Sequence, residues 1–411
     1  MPNIEPDTHN ATLCQLIAQR ISEQPQQRIT FADYMDWVLY EPEQGYYATN
    51  AVQIGIQGDF FTAPHLGPDF GELLAEQFFQ MWQYLDGPSS FTLVEMGAGQ
   101  GLIAIDVLRH LQRCAAVDTN YADFWTALEY IIVEKAAALI AEQKHHLQAF
   151  WEEIHKVKWL TLAEIPPSSI TGCLFSNELV DALPIHQIVI KERELLEIYV
   201  QTGKTPDVAA EQPIFQEQHG QPSTPELAAY LDWMEIDLTQ LPEGYRSEIN
   251  LAALDWLSEA AKKLKQGYLL TIDYGYSAEK YYNPARQQGT LQCYRHHASH
   301  GDPYQYVGRQ DITSHVNFTA LERHGETLEL ENLGRTQQGL FLMALGLGNR
   351  LVTNNNTADL TQLSDVLRRR DAIHSLMNPL GLGGFQVLIQ GRDINTHQQK
   401  QELKGLQARL I

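Results

Sequence analysis

Val94-Glu95-Met96-Gly97-Ala98-Gly99-Gln100-Gly101 sets three alternate glycines behind an acid. The run follows a short apolar stretch, Phe91 to Glu95, and opens an apolar-periodic one, Leu102 to Leu111. That is the strand–turn–helix setting of a nucleotide-type cofactor site. Glycines there allow a tight turn and let a ligand lie directly on the main chain. A pyrophosphate resting on a helix N-terminus calls for G-x-G-x-x-G. The spacing here is G-x-G-x-G, and Glu95 stands two positions before the first glycine. An acid at that place disfavours a phosphate and suits a cationic or hydroxyl-bearing ligand. S-adenosylmethionine carries a sulfonium, an ammonium and a ribose diol but no phosphate, and it is favoured over NAD. Glu134 closes the next apolar run, Tyr130 to Val133, where an acid accepts hydrogen bonds from ribose hydroxyls. Its distance from the turn exceeds the usual ~20 residues because Cys114 to Phe124 intervenes. The competing reading makes Glu95 and Glu134 ordinary strand-end charges and the glycines a structural turn.

A second constellation is Ser176-Asn177-Glu178-Leu179-Val180-Asp181-Ala182-Leu183-Pro184, just past the apolar run Cys173 to Ser176. Ligands of doubly wound sheets bind outside the carboxyl ends of the strands. Methyl transfer from a sulfonium is an in-line displacement, so the protein must align and charge-balance the acceptor. For a guanidinium, carboxylates match the planar fork. Glu178 and Asp181 are three apart, and one helical turn would put both on the same face as candidate catalytic groups. The alternative is an acidic first turn complementing a helix dipole. Asn177, beside Glu178, is a further candidate cofactor contact.

Cys293, His296, His297, His300 and His315 resemble metal ligands, and Cys293-x-x-His296 is loosely zinc-like. No second pair of matching spacing accompanies it, and the proposed chemistry needs no metal, so none is expected. A role of the histidines or Tyr294 in shaping a pocket stays open.

The elements that position these residues follow from periodicity. Leu13 to Ser22 and Thr30 to Leu39 read as helices, the second with Thr30 as N-cap and Asp33 in its first turn. Tyr40 to Pro68 is a long Gly-, Pro- and aromatic-rich loop, the kind that tends to be functional. Asp69 to Tyr84 is an amphipathic helix. From Phe91, short strands alternate with helices, which argues for a mainly parallel doubly wound sheet. A hairpin is expected over Gln187 to Val200, a loop over Thr202 to Pro225, a helix over Ser247 to Leu264, a strand over Tyr268 to Ile272 and a helix over residues 312–323. Strands at 327–331 and Phe385 to Ile389 close the chain. The expected division is a helical N-terminal extension with a cofactor-covering loop (1–90) and an α/β domain (91–411) with insertions at about 186–245 and 275–310.

The 411 residues are 44% apolar and 19% charged, enough to bury a large core. With 29 Lys and Arg against 51 Asp and Glu, the formal net charge is −22. Such a body repels phosphate backbones, and no basic run exceeds Arg368 to Arg370, so nucleic acid is not an expected partner. Four scattered cysteines imply a reducing compartment. No apolar stretch approaches the ~20 residues of a membrane span. Met1 to Asn10 has neither an apolar signal core nor an arginine-rich face, so no signal or transit peptide and a cytoplasmic location are expected.

Several long strings in one order carry a resemblance: YMDWVLYEPEQGYY (34–47), GDFFTAPHLGPDFG (58–71), VEMGAGQG (94–101), SNELVDALPIH (176–186), IDYGY (272–276), and GTLQCYRHH with GRQDITSHVNFTAL (289–297, 308–321). In these the chain resembles the MidA-like S-adenosylmethionine-dependent methyltransferases, over about Thr30 to Gly391. The family includes the mitochondrial complex I assembly factor that methylates arginine. The resemblance implies a class I methyltransferase fold, α/β with a seven-stranded, mostly parallel sheet in which a terminal hairpin supplies the antiparallel strand. It implies S-adenosylmethionine at Gly97, Gly99 and Gly101, with the ribose at Glu134. It also implies that Gly58-Asp59-Phe60 and Tyr274-Gly275-Tyr276 flank the cofactor. For the best-known member it implies dimethylation of one arginine in a 49-kDa-type subunit of NADH dehydrogenase, a protein partner. The absence of a presequence departs from the mitochondrial members and points to a bacterial cytoplasmic protein. The rival expectations are a non-catalytic assembly chaperone on the same fold and a methyltransferase for another acceptor.

Overall fold

The computed structural model describes residues 9–49, 62–153, 155–203, 214–296, 298–352, 360–394 and 402–407. Gly58, Asp59, Phe60 and His297, singled out above, lie outside the described residues. The chain divides into two compact units, each discontinuous in sequence: residues 62–179, 256–274 and 321–411 form one, and residues 1–61, 180–255 and 275–320 the other.

The first unit is built on a seven-stranded sheet. Its strands are β1 (Phe91–Met96), β2 (Leu128–Val133), β3 (Val157–Leu160), β4 (Ile170–Asn177), β5 (Leu264–Asp273), β6 (Glu331–Gln337) and β7 (Gln386–Arg392), in the spatial order β6-β7-β5-β4-β1-β2-β3. The five strands from β5 to β3 are mutually parallel, and β7 runs antiparallel to both of its neighbours. The one reversed strand is present as expected, but β6 and β7 are joined through helices Gln338–Leu345, Leu347–Val352 and Leu360–Met377 and not as a hairpin. The strand expected at 327–331 starts only at Glu331, because the helix before it runs to Thr327. Strand β1 is buried at all six positions, the continuous apolar run of a sheet covered on both faces. Helices α1 (Asp69–Tyr84), α2 (Leu102–Ala115), α3 (Thr119–Ala127) and α4 (Ala137–His146) belong to this unit. α1 presents Phe70, Leu73, Leu74, Phe78 and Met81 to the same core as Phe91, Tyr130 and Phe175 of the sheet. Asp69, buried at the start of α1, accepts from Arg350 (2.7 Å) and twice from Arg369 (2.7 and 2.8 Å). Two late helices, Leu347–Val352 and Leu360–Met377, are thereby tied to the first turn of α1.

The second unit holds the N-terminal helices Ala11–Glu23 and Phe31–Tyr40. The predicted cap is present: Thr30 Oγ1 accepts from the Asp33 amide at 3.0 Å, and Asp33 Oδ2 accepts from the Thr30 amide at 3.3 Å. The hairpin is also present, as His186–Lys191 paired antiparallel with Glu194–Gly203. Three expectations are corrected. Within the predicted loop 202–225, Ile214–Gly220 is a strand on the edge of that hairpin, because Phe215 alternates into the apolar core while its neighbours face out. The predicted helix over 247–264 begins only at Leu251; Arg246–Ile249 is a strand beside His186–Lys191. The predicted helix over 312–323 is delayed to Phe318, behind the short strands Asp311–Thr313 and Val316–Asn317. In each case tertiary pairing overrides local propensity.

Phe175 in β4 lies 5.0 Å from Phe78 and 6.4 Å from Tyr130, ring centre to ring centre, and is fully buried. Phe175→Ala is expected to lower the unfolding free energy by ~3–5 kcal/mol in urea titrations, against under ~0.5 kcal/mol for the exposed control Val117→Ala. Equal midpoints would show that this ring does not hold helix to sheet.

Candidate functional site

The carboxyl ends of β1, β2, β4 and β5 meet on one edge of the sheet, where Met96 pairs with Val133 and Ser176, and Asn177 with Ile272. β1 lies where the strand order reverses, the crevice in which doubly wound sheets bind ligands. The glycine turn leaves β1 at this point. Gly97, Gly99 and Gly101 all have positive φ (71°, 53° and 77°), a conformation that side-chain-bearing residues rarely hold. A Cβ at Gly97 would sit 2.8 Å from Leu179, whereas one at Gly99 meets nothing within 4 Å. The surface above Gly99 is open space over bare main chain, the cradle a ligand needs.

α4 pins this turn from the side. Gln143 Nε2 donates to the Gly99 carbonyl at 2.7 Å, while Gln143 Oε1 accepts from the Trp159 indole at 2.8 Å. His146 Nδ1 is 2.9 Å from the Gln100 carbonyl, and the Gln100 amide donates to Glu142 at 2.9 Å. The sequence reading missed Gln143. Its signal, a glutamine buried within an alanine-rich helix, becomes informative only when the turn is seen to pack against it.

Glu134 follows β2 as expected. Its Oε1 accepts from the amides of Lys135 (2.8 Å) and Ala136 (3.0 Å), and its Oε2 from Gln143 at 3.5 Å. Burial nonetheless raises its pKa above the ordinary carboxylate range. Glu95 is only 2% exposed and accepts from the Tyr130 hydroxyl at 2.6 Å. Burial, with the Glu134 charge adding to it, pushes its carboxyl up to about 8 against the opposing Tyr130 hydrogen bond. The two acids are thus electrostatically coupled behind the turn, and Glu95 is an interior group bonded to the neighbouring strand.

At the end of β4, Glu178 has φ +53°, and its amide donates to the Ile272 carbonyl at 2.9 Å. A glutamate held in the left-handed region costs roughly 1–3 kcal/mol, a strain that clusters at functional sites. Asn177 Nδ2 donates to Glu178 Oε1 at 3.1 Å. Ser176 Oγ, Asn177 Oδ1 and Thr271 Oγ1 are buried there without a hydrogen-bond partner among the described residues. Orphaned polar atoms beside an open glycine cradle fit a polar ligand such as S-adenosylmethionine. Asp273, the last residue of β5, is a fully buried acid at the same edge that the sequence reading gave no role.

The expectation that one helical turn carries Glu178 and Asp181 is corrected. The left-handed backbone at Glu178 breaks the chain direction, and the helical turn covers only Val180–Ala182. Asp181 belongs to the second unit, where it is 5% exposed and its carbonyl accepts from the Ser314 amide at 2.9 Å. Near it Tyr47 donates to Asp311 at 2.9 Å and stacks on Tyr40 with centroids 5.4 Å apart. Burial raises the Tyr47 hydroxyl well above its ordinary pKa, and the charges of Asp311 and, more weakly, Asp181 push it further. Asp311 was not singled out by sequence. Tyr276 stacks on His315 at 4.9 Å with Arg286 4.2 Å from its ring centre, and burial with Arg286 pushes His315 down to about 4. Cys293 is fully buried in the apolar core around the N-terminal helices, away from any metal-like grouping with the described histidines.

Two outcomes follow. Gly99→Val adds bulk where the folded protein leaves space, so it is expected to weaken S-adenosylmethionine binding roughly 100-fold, about 2.7 kcal/mol. Calorimetry returning the wild-type dissociation constant would remove Gly99 from the site. For Glu95, the folded protein holds a proton that the unfolded chain releases between the ordinary carboxylate range and about 8. The stability drawn from this group is full below that range and lost as pH rises to about 8. The melting temperature of Glu95→Gln should therefore climb relative to wild type across that interval; parallel curves would place the titration elsewhere.

Comparison with known proteins gives the family. Residues 73–336 match the family model described as S-adenosyl-L-methionine-dependent methyltransferase. The mitochondrial protein arginine methyltransferase NDUFAF7 homolog of Drosophila melanogaster is 27% identical over 350 residues, 82% of this chain and 75% of that protein. The Rattus norvegicus NDUFAF7 is 27% identical over 374 residues, 86% of this chain and 79% of its own length. A crystal structure from Burkholderia thailandensis, bound to S-adenosyl-homocysteine, superposes with a TM-score of 0.83 at 29% identity, covering 99% of this chain and 98% of that one. With a family model spanning well over half its length, the chain belongs to the MidA-like S-adenosylmethionine-dependent methyltransferases.

Proposed function

We propose that this methyltransferase dimethylates an arginine of a protein acceptor, a 49-kDa-type subunit of an NADH dehydrogenase, during assembly of that complex. The observation that supports the arginine is Glu178, a carboxylate held in strained left-handed backbone at the end of β4 beside the open glycine turn. The relatives named as protein arginine methyltransferases support the same reading. Among the described residues no helix is long and apolar enough to cross a membrane, which suits a protein acceptor met outside the bilayer.

When bound, S-adenosylmethionine would supply an electrophilic methyl group on its sulfonium, with the neutral thioether as leaving group. The glycine turn with Glu134 and Asn177 would hold the cofactor. Arginine stays protonated at neutral pH, with a pKa above ~12, so no side chain removes its proton before attack. Glu178 instead orients the guanidinium and balances its charge, so that one nitrogen faces the methyl in line. As the new N–C bond forms, the departing N–H proton passes to a carboxylate or to solvent.

Glu178→Gln is expected to bind S-adenosylmethionine as tightly as wild type while kcat falls ~10²–10³-fold. Undiminished single-turnover methylation would take Glu178 out of the reaction. The acceptor is tested by incubating a lysate from cells lacking this protein with purified enzyme and methyl-labelled S-adenosylmethionine, then mapping label by mass spectrometry. Label on one arginine of an NADH-dehydrogenase subunit supports the proposal. Label on another protein or residue overturns the acceptor. No label, with tight cofactor binding and unmodified acceptor present, favours a non-catalytic chaperone.

A further inference from the structure

Helices α1 and α2 bring together three donors of different kinds in the sheet-bearing unit. His110 and Cys114 stand four apart on α2 and so share a face. α1 offers Glu76, whose Oε1 lies 2.6 Å from His110 Nε2, and Cys114 Sγ lies 3.6 Å from the same nitrogen. All three donor atoms fall within 4.8 Å of one another, and the residues are half-buried, shielded but reachable. The 3.6 Å between sulfur and nitrogen is the span of a ~2.3 Å metal–thiolate bond and a ~2.0 Å metal–imidazole bond at a tetrahedral angle. The shorter carboxylate–imidazole contact is a hydrogen bond, which an ion would open by about 0.7 Å.

Two further groups stand beside the donors. Tyr121 of α3 donates to Glu76 Oε2 at 2.8 Å, leaving Oε1 to face the imidazole. Glu72, one turn before Glu76, lies 4.0 Å from the other ring nitrogen, His110 Nδ1. At that distance the Glu72 charge faces the imidazole without a hydrogen bond to it.

We propose that Glu76, His110 and Cys114 form a binding site for a divalent cation of the zinc class, with a fourth position left to solvent. The mixture of thiolate, imidazole and carboxylate suits such an ion and not the oxygen-only preference of Mg²⁺ or Ca²⁺. On binding, Cys114 releases its thiol proton to solvent, His110 coordinates as neutral imidazole through Nε2, and Glu76 coordinates as carboxylate. The ion clamps α1 to α2 at a place distinct from the glycine turn.

The test uses the full chain, stripped with chelator and titrated with Co²⁺, followed by Zn²⁺ competition. One equivalent of Co²⁺ should bind with a thiolate-to-cobalt charge-transfer band in the near ultraviolet. Cys114→Ser should lose that band, and His110→Ala should bind at least ~100-fold more weakly. Tyr121→Phe, which keeps the aromatic packing, should bind about 10-fold more weakly. Absence of the band in wild type, or its survival in Cys114→Ser, overturns the site. Should Cys114→Ser fail to fold, the decision passes to Tyr121→Phe, whose unchanged affinity would overturn it.

Discussion

The hydrogen bond from Gln143 to the Gly99 carbonyl, backed by Trp159, ties the middle of the glycine turn to the helix beside it. Three glycines in left-handed backbone give that turn its shape, yet glycine is the residue that loses most freedom when ordered. Bare main chain also offers no side chain with which to pack. The restraint therefore has to come from a neighbouring element, and α4 supplies it through Gln143 and His146. Gln143 reaches toward Glu134 as well, so one buried amide links the glycine turn to the acid at the end of the next strand. Position of the cofactor edge is thus a matter of helix-to-turn hydrogen bonding as much as of the sheet itself.

Electrostatics at that edge are arranged by burial. Glu134 and Asp273 set acids beside the turn, a surrounding that suits a cationic ligand. Burial and the nearness of Glu134 favour a proton on Glu95, which limits the repulsion. In the second unit, Asp181 and Asp311 surround Tyr47 in a comparable way. An acidic protein of net charge −22 has concentrated some of its acids where water is scarce, and there each charge interacts more strongly than on the surface.

Much of this was legible in the chain because it depends on neighbours in sequence. The glycine spacing, the apolar run before it and the periodic run after it lie within two dozen residues, and strand, turn and helix form where those patterns put them. The capping box at Thr30 is likewise a contact three residues long. The reversed strand forms where the late apolar run from Phe385 to Ile389 puts it.

Only the tertiary structure decided what depends on residues distant in the chain. Glu178 and Asp181 have helical spacing, but the amide of Glu178 bonds to Ile272 and its backbone turns left-handed, so spacing alone misplaced the pair. Asp311 meets Tyr47 across 264 residues, and Glu76 meets His110 across 34. The edge strand Ile214–Gly220 forms in a segment whose composition reads as loop, because a hairpin already presents unpaired backbone groups to it. Periodicity reports which face of an element is apolar; it carries no information on which other element will complete a hydrogen bond or a charge pair there. Those partners are set when the sheet and its helices close, and with them the chemistry of the site.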